Sequence, residues 1–218
     1  MRSGSTKLVA VLVAVAFSAA LIAYYIAGYL SVRPAETTSW SGKRVSLTLQ
    51  TVASLGIGPH PDWVSYLVKD SSGHWQHSTV LNVPANSLVH VTVLQYDTAT
   101  GLRNPYWGGP RGIVGLMKVD GKPTPTLDPD LASHTFAIPD LGVSVPLKGV
   151  ADDAKNQCSV APCTLAQAHT TISFTFRTGK AGTYRWQCFV PCAAGFILGF
   201  GGPMQSVGYM DGYLHVVA

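Results

Sequence analysis

The chain has 218 residues, of which 12% are charged, and 15 Lys and Arg against 11 Asp and Glu leave a net charge of +4. The basic residues are scattered, with no stripe of Lys and Arg interleaved with aromatics, which argues against nucleic acid as a partner. With 22 glycines and 14 prolines, the composition suits one β-rich domain with long loops, large enough for a single hydrophobic core.

Residues 1–7, with Arg2 and Lys7, read as a cytoplasmic tail, and residues 8–30 hold no charge and are almost wholly apolar. At roughly 1.5 Å per residue a helix of that length reaches about 34 Å, enough to cross a bilayer. The positive-inside bias keeps the N-terminus in the cytoplasm and sends the rest outward, and Tyr24, Tyr25 and Tyr29 crowd the outer end, where aromatic rings favour the interface. A cleavable signal peptide is the rival reading, because Ala-Phe-Ser-Ala-Ala lies within the run. The apolar stretch continues well past those small residues and exceeds the length of a signal h-region, which favours an uncleaved anchor. The expectation is a single-pass plasma-membrane protein, most simply of a bacterial envelope, whose domain lies outside the membrane.

Residues 31–41 are polar with one proline and read as a stalk. Over 42–218 the period becomes two. Val45, Leu47 and Leu49 alternate with Ser46, Thr48 and Gln50; Leu88 to Tyr96 is rich in β-branched residues; Ile172, Phe174 and Phe176 alternate with polar residues; Tyr184 and Trp186 alternate with Arg185 and Gln187; and Tyr213 to Val217 closes the chain. Gly and Pro punctuate between these runs, at Gly56-Ile-Gly-Pro, Pro123 to Pro129 and Gly201-Gly-Pro. Many short strands with such turns predict an all-β antiparallel sandwich or Greek-key barrel.

Four cysteines in an exported domain permit disulfides, with three connectivities to choose from. Cys158 and Cys163 stand together in a polar loop, and a local disulfide is the favoured reading for them. Cys188 and Cys192 are different: they lie four apart, directly after the alternating aromatic strand Gly182-Thr-Tyr-Arg-Trp-Gln. Such a pair offers thiolates to a soft metal or closes a small disulfide loop. Both readings stay open.

Three segments share a pattern: His134-Thr-Phe at a strand start, Gly182-Thr-Tyr-Arg-Trp-Gln-Cys, and Met210-Asp-Gly-Tyr-Leu-His-Val. Together they resemble the cupredoxin fold, and within it the soluble CuA-type domain of cytochrome c oxidase subunit II, over roughly Ser87 to Val217. The resemblance implies a cupredoxin-like Greek-key β-barrel or sandwich after one transmembrane helix. It places His134 at the first imidazole ligand, Cys188 and Cys192 at the two thiolates, and Val190 at the residue that lends a carbonyl. The second histidine falls at Phe196 and the methionine at Gly199, which leaves a binuclear centre without its second imidazole. Met204, farther along, can take the methionine's place. The set His134, Cys188, Cys192 and Met204 is rich in sulfur and suits at most one copper ion, as Cu(I).

His60, His74, His77, His90 and His169 share no spacing, and His215 alternates with Leu214 and Val216 as a solvent-facing strand residue. The loop from Phe189 to Phe200 is apolar enough either to fold over the barrel end, filling the space a metal would use, or to dock on a membrane protein or a bilayer, the reading favoured beside a membrane anchor. No nucleophile elbow, phosphate-cradling loop or zinc-protease helix motif is present, so the chain does not read as an enzyme. The reading is a copper-binding, electron-transferring or copper-handling protein, whose partners are the membrane and a respiratory-chain protein or a copper donor or acceptor. Its rival is a metal-free interaction module with both cysteine pairs oxidised, docking on a respiratory complex.

Overall fold

The computed structural model describes residues 3–27, 40–41, 44–101, 104–191 and 202–218. The chain divides into two compact units, 1–32 and 33–218.

The first unit is a helix, α1 (Ser3–Tyr25). Its segment Lys7–Tyr25 is 19 residues long with a mean hydropathy of 2.4. At about 1.5 Å per residue it is some 28 Å long, long and apolar enough to cross a hydrocarbon core of about 30 Å. The described helix begins earlier and ends earlier than the expected 8–30 span, and Tyr29 and residues 31–39 of the expected stalk lie outside the described residues. The last two stalk positions are β1 (Trp40–Ser41), paired with Arg44 and Val45 of the following strand.

The second unit is an all-β sandwich of two mixed sheets. One holds, in spatial order, β4 (Trp75–Gln76), β3 (Ser65–Lys69), β2 (Arg44–Val52), β6 (Leu88–Gln95), β11 (Thr170–Arg177), β7 (Lys118–Val119) and β8 (Lys122–Pro123), with β1 on β2. The other holds β10 (Val143–Lys148), β9 (Ala132–Ile138), β12 (Gly182–Gln187), β13 (Asp211–Val217) and β5 (Val80–Pro84). The chain passes between the sheets several times, after β4, β5, β8, β10 and β11, which is how the Greek-key arrangement expected from the sequence is built. Not every pair is antiparallel: β2 runs parallel to β6, and β5 parallel to β13. Parallel neighbours require such crossovers, since a hairpin cannot join them.

Alternation decides what fills the interior. Val45, Leu47 and Leu49 of β2, Val89, Val91 and Val93 of β6, and Ile172, Phe174 and Phe176 of β11 meet Phe136, Val145, Trp186, Leu214 and Val216 of the facing sheet in one buried cluster. The Phe136 ring lies 5.4 Å from Phe174 and 5.0 Å from Trp186, and Tyr66 meets Trp186 edge-on at 4.9 Å. Trp186 is fully buried, yet its indole N–H donates to the Thr79 carbonyl at 2.8 Å, so the core carries no unsatisfied donor there.

A second, smaller core gathers Val52, Leu55, Leu67, Tyr96 and Tyr209 around Cys158 and Cys163. These two cysteines form the disulfide expected from the sequence. The buried Gln50 side chain ties their loop to β2, accepting from the Cys163 N–H at 2.8 Å and donating to the Cys163 carbonyl at 3.3 Å.

Candidate metal centre at the end of the sandwich

β9 is buried along all seven residues, because β10 and β12 flank it and both its faces are covered. His134 points to the same side as Phe136, into the space between the sheets, as a spacing of two dictates. It does not sit at the exposed start of a strand; it is the third residue of β9 and fully buried.

Cys188 follows the last residue of β12. Gln187 of that strand pairs with Ala137 of β9, so the end of β12 is delivered beside His134 and Thr135. The Cys188 Sγ lies 3.9 Å from the His134 Nδ1. The Thr135 N–H donates to the same sulfur at 3.4 Å, its hydroxyl lies 3.9 Å away, and the Val190 carbonyl oxygen stands 3.4 Å from it. The Cys188 N–H donates to the Met210 carbonyl at 2.9 Å, fixing the cysteine against β13.

Behind His134, on the side away from the sulfur, lies Asp97, just past the end of β6 in the opposite sheet. Its Oδ2 is 3.0 Å from His134 Nε2. Burial pulls the His134 imidazole down, but the bonds to Asp97 and Cys188 outweigh it, and its pKa is raised to about 9. Burial pushes the Asp97 carboxyl up, and the hydrogen bond and charge of His134 together with the Thr98 N–H hold it below its usual value. A fully buried imidazole and a partly buried carboxylate of opposite tendency thus brace each other.

Met204 is half-buried in a single 3₁₀ turn, Pro203–Gln205, and packs against the main core. Its carbonyl accepts from the Gln187 side chain at 2.7 Å, which ties it to the residue preceding Cys188. Cys192, Phe196 and Gly199 lie outside the described residues, as does most of the apolar loop. Of that loop's described residues, Val190 is buried and Phe189 is exposed, its ring stacked on Trp107 at 6.2 Å.

The structure therefore brings together His134 and Cys188, with Met204 tethered one residue before the cysteine. The separation of 3.9 Å suits two donors sharing one ion, since bonds from a first-row metal to thiolate sulfur and imidazole nitrogen are about 2.3 and 2.0 Å. A carboxylate behind the imidazole is the usual outer partner of a metal-bound histidine. Among the described residues no group of three His, Cys, Asp or Glu side chains is placed to hold a metal.

Sequence reading missed Asp97 and Thr135. Asp97 stands 37 residues from His134 and carries no motif; only the packing of the end of β6 against β9 of the facing sheet makes it a neighbour. Thr135 was visible in His134-Thr-Phe, but its role depends on the β9–β12 register. The scattered histidines also find places: His60 stacks on Trp63 at 3.7 Å, and His77 bonds the Gly208 carbonyl and meets Tyr209 edge-on at 5.2 Å. His215 is half-buried and bonds the Thr183 hydroxyl at 2.9 Å.

No family model and no curated protein matches this sequence. Among solved structures, reduced rusticyanin is 20% identical, over 82% of this chain and 82% of its own, with a TM-score of 0.33. Rusticyanin from Thiobacillus ferrooxidans is 18% identical over 90% of this chain and 92% of its own, with a TM-score of 0.35. A chain from the structure of a heme-copper terminal oxidase dimer is 13% identical over 99% of this chain and 100% of its own, with a TM-score of 0.34. At these identities and TM-scores, the likenesses carry none of the weight placed on the site, which rests on its own geometry.

Proposed function

We propose that this is a membrane-anchored, cupredoxin-like protein of the outer face of the plasma membrane that holds at most one copper ion, and that it transfers electrons or handles copper rather than catalysing a reaction. The observation that supports it is the approach of the His134 Nδ1 to the Cys188 Sγ, at 3.9 Å, with a carboxylate seated behind the ring. His134, Cys188, Cys192 and Met204 would hold the ion, which when bound supplies a one-electron couple or a transferable cargo. The sulfur-rich set favours the cuprous state. Burial at the rigid end of a sandwich limits how far the donors move between oxidation states. Partners then follow from position: the membrane, and beside it a respiratory-chain protein or a copper donor or acceptor.

The test is metal analysis and thiol titration of the full chain purified from membranes in detergent, then reloaded with copper. One copper per chain is the expected stoichiometry. A thiolate-to-copper absorption band would mark an electron carrier, and colourless one-to-one Cu(I) binding a copper handler. A protein that takes up no copper and titrates no thiols would sink the copper reading in favour of a metal-free module with both cysteine pairs oxidised. Two coppers per chain with a coupled spin signal would show that the ligand set is wrong.

A further inference from the structure

His134 is buried between two sheets, and an imidazole so placed can present either nitrogen to its neighbours. What decides is the carboxylate behind it. Asp97 is itself held from three directions: its Oδ1 accepts the Thr98 N–H at 2.8 Å, and its backbone carbonyl accepts the Val150 N–H at 2.9 Å and the Gln95 side chain at 3.3 Å. One oxygen, Oδ2, is left for the ring, 3.0 Å from Nε2. A carboxylate only accepts, so the nitrogen facing it carries the hydrogen.

We propose that Asp97 is the positioning residue of this site: it fixes the orientation of the His134 ring by holding the Nε2 hydrogen, so that Nδ1 is the nitrogen turned to Cys188 and to whatever is held there. The orientation stands on the hydrogen-bond geometry alone; that Nδ1 is a copper donor rests on the function proposed above. A carboxylate partner also makes an imidazole a more basic ligand, and loss of such a partner typically weakens metal binding by roughly 10–100-fold. Asp97 follows β6 of the opposite sheet, so the ligand and its support come from different layers. The packing of the two sheets is then what holds Nδ1 in place.

The full-length chain, labelled with ¹⁵N-histidine and kept metal-free in detergent micelles, tests the orientation directly. Wild type is expected to show a downfield His134 Nε2 proton that exchanges slowly with water. In D97A that resonance is lost. In D97N, whose neutral amide still accepts, it persists but moves upfield and exchanges faster, which keeps the test alive should D97A not fold. An Nε2 proton unchanged in D97A, or one in D97N indistinguishable from wild type, overturns the proposal. Cu(I) affinity, measured by competition with a chromophoric chelator, is expected to fall by roughly 10–100-fold in D97A and less in D97N; equal affinity in D97A and wild type would also overturn it. If wild type binds no copper while the Nε2 proton still follows Asp97, the positioning stands and the copper reading alone falls.

Discussion

Thr135 holds Cys188 in place through both its backbone and its side chain. Its N–H donates to the cysteine sulfur at 3.4 Å, while its hydroxyl, 3.9 Å from that sulfur, accepts the N–H of Phe189 at 2.8 Å. Thr135 is fully buried, and its carbonyl accepts the Tyr66 hydroxyl at 2.8 Å, so β9 is anchored to β3 of the other sheet at the same residue. The position of the sulfur is thus set by the β9–β12 register and by one threonine, and the chain leaving β12 begins its turn on that hydroxyl.

This arrangement makes Thr135 a stability residue as well as a lining one. T135V keeps the branched shape but leaves the Phe189 N–H without its acceptor; the bond is only part-buried, so the cost belongs near the lower end of the range of about 1–3 kcal/mol for a donor left unpaired. T135S should restore most of the loss. Urea unfolding of the full chain in detergent, followed by tryptophan fluorescence, measures both. A T135V change within about 0.5 kcal/mol, the usual span for surface substitutions, would mean that the hydroxyl is not the anchor.

His77 gives the protein a pH response unconnected with the candidate metal centre. Burial pushes its imidazole down, and the Gly208 carbonyl that accepts from the ring only partly offsets this. The folded-state value therefore lies below the unfolded value of about 6.5. As pH falls through that value the unfolded chain takes up the proton first, so stability falls on the acid side until the folded-state pKa is passed. H77Q keeps a donor toward Gly208 without a titrating ring. Between pH 8 and pH 5 wild type should lose more stability than H77Q, read as the difference between their denaturation midpoints. Equal losses, or a larger loss in H77Q, would show that His77 is not depressed.

Much of this was legible in the sequence, and the misses share one cause. The first half of β2, and β11, announced themselves by alternation between a buried and a less buried face, and β6 by its β-branched residues. β3 and β5 gave no such signal. Ser65 to Val68 of β3 are all buried, and β5 is only five residues long, joined in parallel to a strand more than a hundred residues away. The candidate site divided in the same way. His134 and Cys188 were visible as motif residues, and the fold places the Sγ 3.9 Å from Nδ1. Asp97 was not, because no local pattern marks a carboxylate whose partner lies on another sheet. The disulfide was legible since Cys158 and Cys163 are only five apart.

The glycine in Met210-Asp-Gly is required by contact rather than by backbone conformation. A Cβ on Gly212 would sit 2.0 Å from the Thr79 carbonyl oxygen and 2.6 Å from the Thr79 Cβ. That carbonyl has little freedom to retreat, because it accepts both the Trp186 indole N–H at 2.8 Å and the Tyr213 N–H at 3.0 Å. G212A must therefore displace the strand pairing that carries Trp186 and, through Met210, the Cys188 backbone. Overpacking of a well-filled core costs typically about 1–3 kcal/mol and occasionally more, and G212A belongs at the upper end. Gly182, in the strand that leads to Cys188, is the matched control: a Cβ there meets nothing closer than 3.7 Å, the edge of the Tyr184 ring. G182A should change stability by no more than about 0.5 kcal/mol. Thermal unfolding of the two variants beside wild type separates the cases; similar midpoints for G212A and G182A would show that the β13 backbone yields at Thr79 and that the close approach does not constrain the site.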